Sequence, residues 1–121
     1  MVPAVLLISG LTQLIVGVWA FVAPDSFYDV VATYPPSNDH FLKDIGSWNV
    51  ALGLATLHAA RTPSWQKGMC GVLAVLYTLH AVSHGIDLDQ GEPRSASVAT
   101  LVSQIVAAVI FAALYVREMR R

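Results

Sequence analysis

The sequence predicts an all-α integral membrane protein, a four-helix up-down-up-down bundle with both termini cytoplasmic. Three observations carry that expectation. The 121 residues are 55% hydrophobic and only 12% charged, against about 25% charged in an ordinary soluble domain. Mean hydropathy is +0.59, so lipid is the solvent that such a surface suits. The few charges gather between four apolar segments, at about 2–22, 40–60, 67–84 and 96–116, within a single domain covering 1–121.

The first segment, "MVPAVLLISGLTQLIVGVWAFVAP", has no charged side chain and meets the length of about 20 apolar residues that a bilayer core requires. A cleavable signal peptide carries a basic amino-terminal region. No Lys or Arg precedes Lys43, so the segment reads as a retained span. The second and third segments are shorter and cross if their polar ends sit at the interface or face protein.

Charge asymmetry sets the orientation. The connection at 61–67, "RTPSWQK", carries Arg61 and Lys67 around a Pro-Ser turn, and the carboxyl end carries Arg117, Arg120 and Arg121. The connections at 23–43 and 85–95 carry Asp25, Asp29, Asp39, Asp87, Asp89 and Glu92 against Lys43 and Arg94. Lys and Arg near span ends mark the cytoplasmic side, which places the 61–67 loop and the carboxyl terminus inside. Four spans then return the amino terminus to the same side, in a multi-pass protein of the plasma membrane.

Packing positions follow from small and aromatic residues. Gly10 and Gly17 on the first span and Gly46 and Gly53 on the second are each seven apart, close to two helical turns, so each pair presents a smooth stripe for close helix approach. Trp19, Tyr28, Tyr34, Trp65 and Tyr115 fall near span ends, as an interfacial aromatic belt requires. Gln13, Ser103 and Gln104 lie inside spans and read as interhelix hydrogen-bonding groups. Ser37 or Asn38 is placed to cap the second helix after Pro35 and Pro36.

The chemistry-bearing residues concentrate at one end. The second span opens with His40 and Asp44 four apart, the third closes with His80 and His84 four apart, and Asp87 follows by three. Residues at i and i+4 project from one helical face. Gly85 reads as a left-handed C-cap ending the third helix. In an antiparallel bundle, the extracytoplasmic ends of spans two and three meet. His40, Asp44, His80 and His84, with Asp87 as an outer ligand, form a donor set suited to zinc, copper or iron. Bis-imidazole haem ranks lower because four short spans leave little room for a porphyrin. Asn38, Trp48 and Asn49 are the candidate cavity-lining residues. His58, four turns away, reads as an interfacial hydrogen-bonding histidine. An equally weighted reading makes the cluster an interhelix clamp, with His to Asp hydrogen bonds pinning two helices.

The single Cys70 excludes an intrachain disulfide, and a net charge of −1 excludes the basic patch that nucleic acid requires. Partners are therefore the bilayer, a homodimer or larger membrane complex, and a lipophilic small molecule. Whether the protein is an enzyme stays open. The stretch "GLTQLIVGVWAFVAPDSFYD", then "NDHFLKDIGSWNVALGL" and "HAVSH", resembles small actinobacterial-type four-helix membrane proteins of the DoxX-like group and related domains of unknown function. The matching residues are Pro24, Phe27, Tyr28, Asn38, His40, Asp44, Gly46, His80 and His84. The resemblance implies a compact four-helix bundle and a link to membrane redox or quinone-associated chemistry, with no assigned catalytic residue.

Overall fold

The computed structural model describes residues 1–91 and 93–120; Glu92 and Arg121, counted above among the acidic and basic groups, lie outside the described residues. Among these there are five helices and no strands. The helices are α1 (Val2–Val22), α2 (Pro24–Val30), α3 (Asp39–Arg61), α4 (Pro63–Ile86) and α5 (Arg94–Met119). Helices α1, α4 and α5 are long and apolar enough to cross a membrane, with mean hydropathy of 2.2, 1.5 and 2.2 over their most apolar windows. Helix α3 falls outside that set, with Asp39, His40, Lys43 and Asp44 in its first two turns. The chain divides into two compact units, Met1–Pro63 and Ser64–Arg121.

In the first unit α1 and α3 pair antiparallel. The buried positions of α1 include Val2, Leu6, Ser9, Gln13 and Ala20, and those of α3 include Leu42, Gly46, Gly53, Thr56 and Ala60. Both sets step by threes and fours or by a whole heptad, the seam of helices that wrap one another. The two glycine stripes meet at the centre. A Cβ built on Gly17 would stand 2.6 Å from Val50 N and 2.8 Å from Gly46 O, and one on Gly53 would stand 2.8 Å from Leu14 N and 3.0 Å from Gly10 O. No real side chain fits at those separations, so the absence of Cβ is what lets the backbones touch.

Several polar groups along this hairpin are answered locally, while the buried Gln13 Oε1 has no hydrogen-bond partner among the described residues. Thr56 donates its hydroxyl to the Leu52 carbonyl at 2.8 Å, Thr12 donates to Ile8 at 3.0 Å, and Gln13 Nε2 donates to Ser9 Oγ at 3.3 Å. Such back-bonding lets hydroxyls sit in apolar surroundings without a partner helix.

Helix α2 replaces part of the connection expected at 23–43. Pro24 occupies its first turn, where a missing N–H costs nothing, and Asp25 complements the positive end of the helix. Seven residues are too few to hold a helix alone. Phe27, 4% exposed, anchors it against Ala20 and Leu42. Trp19 meets Phe27 edge-on at 5.6 Å and donates its indole N–H to Ser26 Oγ at 3.2 Å. The chain then passes a cis Pro35-Pro36 bond, and Asn38 caps α3 by accepting from the Phe41 N–H at 3.0 Å.

Helix α4, which carries the chain into the second unit, begins at Pro63, four residues before the apolar segment expected from 67. Pro63 opens the helix instead of holding a turn, so only Thr62 separates α3 from α4. The Gly85 cap is also corrected. The helix runs on to Ile86, Asp87 N–H donates to the Ser83 carbonyl at 3.0 Å, and no described residue has the left-handed conformation. After a turn over 87–90, with Arg94 paired to Asp89, α5 returns antiparallel to α4. Tyr77 stacks on Phe111 at 5.6 Å with the rings 10° apart. A Cβ on Gly71 would lie 3.1 Å from the Tyr115 ring. Here aromatic side chains set the helix spacing.

Candidate functional site: an imidazole pair at the polar end of α4

His80 and His84 lie in the last two turns of α4. The helical spacing of four brings their rings into a stack, centroids 4.7 Å apart and planes 30° apart. Their Nε2 atoms are 3.0 Å apart, a hydrogen bond in which one imidazole donates and the other accepts. His80 is exposed and His84 is partly buried. An ion bound to both Nε2 atoms at about 2.0–2.1 Å would subtend an angle of about 95° at that separation. That angle lies between square-planar and tetrahedral coordination, within reach of the metals that favour imidazole.

Asp87 follows His84 by one turn and is held by the turn that ends α4. Gln90 Nε2 donates to its Oδ1 at 2.8 Å, and the Gln90 N–H donates to its carbonyl at 2.9 Å. The role of Gln90 was not apparent in the sequence, although a side-chain donor three residues past an Asp is a recognisable turn signature.

The candidates on α3 form a second pair. His40 Nε2 lies 3.7 Å from Asp44 Oδ2, with the side chains 89% and 55% exposed, and an ion pair so open to its surroundings contributes little. Asn38 uses its side chain as the α3 cap. Trp48 is 77% exposed, and Asn49 Nδ2 donates to the Ile45 carbonyl at 3.0 Å. His58 Nε2 and Thr62 Oγ1 are 3.3 Å apart. Among the described residues no group of three or more His, Cys, Asp or Glu side chains lies close enough to hold a metal ion. The imidazole pair is therefore the most concentrated chemistry found. Helix α1 separately carries a shallow apolar groove of about 430 Å³ along Leu14, Val18, Trp19 and Val22.

No curated protein and no solved structure matches the chain, and the resemblance to the DoxX-like group finds no support in the comparisons. A family model described as a domain of unknown function, DUF4345, matches residues 2–115, and the chain belongs to that family.

Proposed function

We propose that this is a small polytopic membrane protein that binds a divalent metal ion, zinc, copper or iron, through His80 and His84. The single observation that supports the reading is the 3.0 Å separation of the two Nε2 atoms on one helix, close enough for both nitrogens to reach one ion once the shared proton is displaced. Two protein ligands leave coordination positions open for water or substrate. A divalent ion in that state lowers the pKa of bound water or polarises an oxygen of a lipid-soluble substrate. The carboxylate of Asp87 offers negative charge one turn away.

Four spans, rather than the three apparent from composition, complete this reading. Helix α3 packs backbone to backbone along α1 at both the Gly17–Gly46 and the Gly10–Gly53 levels. A helix in such contact with an apolar span shares its surroundings. Four spans put both termini on the side marked by Arg61, Lys67, Arg117 and Arg120, the cytoplasmic side of the plasma membrane. The clamp reading requires contacts between helices. The contacts described for His80 and for His40 both run within their own helix.

The test is metal content by mass spectrometry of detergent-purified, tag-free protein, after reconstitution with each ion. Near-stoichiometric metal in the wild type, lost in His80→Ala/His84→Ala, is the expected outcome. Variants of His40 and Asp44, measured in parallel, should retain the metal. Equal metal in the wild type and the double variant would reject the site.

A further inference from the structure

The carboxyl end of α5 carries a surface groove of about 500 Å³ lined by Ala112, Ala113, Val116, Arg117 and Arg120. These positions advance by one, three, one and three, so they share one side of the helix. All five are exposed. The buried residues at this level, Phe111 and Leu114, take the opposite side, where Phe111 stacks on Tyr77 of α4. Glu118 follows Leu114 by four residues and belongs to that packed side, and it is partly withdrawn from the exterior. The groove therefore looks away from α4, and its lining holds two guanidiniums and no carboxylate.

The same side continues down the helix as an apolar stripe. Val102, Ile105, Val106 and Val109 precede the groove at helical spacing, and all are exposed. From Val102 to Val116 the stripe is about 21 Å long at the helical rise, more than half of a hydrocarbon core of about 30 Å. Helix α5 is long and apolar enough to cross a membrane, so this stripe faces acyl chains. Arg117 and Arg120, in the last turns, extend to the level of the headgroups. The small side chains of Ala112 and Ala113 make the hollow directly beneath them. A guanidinium presents a planar fork that matches the oxygens of a phosphate.

We propose that this groove seats an anionic phospholipid, its phosphate against Arg117 and Arg120 and one acyl chain along the stripe from Val116 towards Val102. The inference is independent of the metal reading and needs only that α5 crosses the bilayer. Charge complementarity selects the occupant. A second copy of the chain, related by a two-fold axis along the membrane normal, would bring the same patch of each copy together and so oppose two pairs of like charges. A phospholipid supplies the missing anion and the apolar filling in one molecule. Under the orientation proposed above, the groove opens to the cytoplasmic leaflet, which is the negatively charged one.

Native mass spectrometry of the full chain in detergent tests this, with dioleoylphosphatidylglycerol, dioleoylphosphatidylcholine and glycerol phosphate as probes. The wild type should bind phosphatidylglycerol in preference to phosphatidylcholine, and glycerol phosphate should not displace it. Arg117→Gln/Arg120→Gln should weaken phosphatidylglycerol binding about tenfold or more and abolish the preference. Arg61→Gln/Lys67→Gln removes the same charge at positions that do not line the groove, and should bind within about threefold of wild type because exposed charges are screened. Ala113→Phe, at an exposed position, fills the hollow and should weaken binding of both lipids. Equal losses in the two double variants would reduce the attraction to net charge and overturn the site. A wild type without the preference, or an Ala113→Phe protein that binds as the wild type does, would overturn it as well. Displacement of the lipid by an equal concentration of glycerol phosphate would assign the arginines to a free phosphate compound and overturn the lipid reading.

Discussion

The α1/α3 hairpin and the α4/α5 hairpin are both antiparallel helix pairs, yet they are held by opposite means. In the first, four glycines bring backbone against backbone, and 33% of the most apolar window of α1 is buried. In the second, a Tyr77–Phe111 stack and the Tyr115 ring over Gly71 set the spacing, and the corresponding window of α5 is 17% buried. Lipid is as apolar as leucine, so burial of apolar surface gives little drive for helices to associate in a membrane, and close packing has to supply it. The glycine hairpin concentrates that packing. The polar end of the aromatic hairpin holds His80 and His84. Chemistry falls in the pair that packs less tightly.

The difference breaks first at Gly17. Replacing it with Leu forces atoms into Val50 N and Gly46 O, and overpacking of this kind costs about 3 kcal/mol. Thermal unfolding in detergent should show a large fall, while cobalt binding by the folded fraction persists. A Gly17→Leu protein as stable as the wild type would mean that the glycine contact does not hold the first pair together. A smaller effect is expected at the aromatic stack. A double-mutant cycle of Tyr77→Leu and Phe111→Leu should return a coupling of about 0.5–1.5 kcal/mol, and zero coupling would remove the stack as the spacer of the second pair. The smallest effect has the opposite sign. A Cβ on Gly68 of α4 meets nothing within 4 Å, so Gly68→Ala should raise stability by up to about 1 kcal/mol through helix propensity. The same residue type is thus indispensable in one hairpin and a mild liability in the other.

Much of the first pair was legible in the sequence. A repeat of seven between Gly10 and Gly17, and again between Gly46 and Gly53, is a property of spacing, and spacing survives into the helix face. The Asn38 cap was legible for the same local reason. Helix α2 was not, because "PDSFYDV" has no helical periodicity long enough to register, and its order comes from Phe27 seating against Ala20 and Leu42. The Pro-Ser turn expected between Arg61 and Lys67 is instead the first turn of α4, because Pro63 serves a turn and a first helical turn equally well. Gly85 misled in the same way, since a glycine marks a left-handed cap only when the chain turns there. The histidine pair was visible as a spacing of four.

The most direct test of the central claim is X-ray absorption at the metal edge of reconstituted protein, with His80→Ala/His84→Ala as the control. The expected first shell holds two imidazole nitrogens, recognised by the outer-shell scattering of their rings, completed by oxygen and lost in the double variant. A first shell of oxygen alone, the same in both proteins, would contradict it.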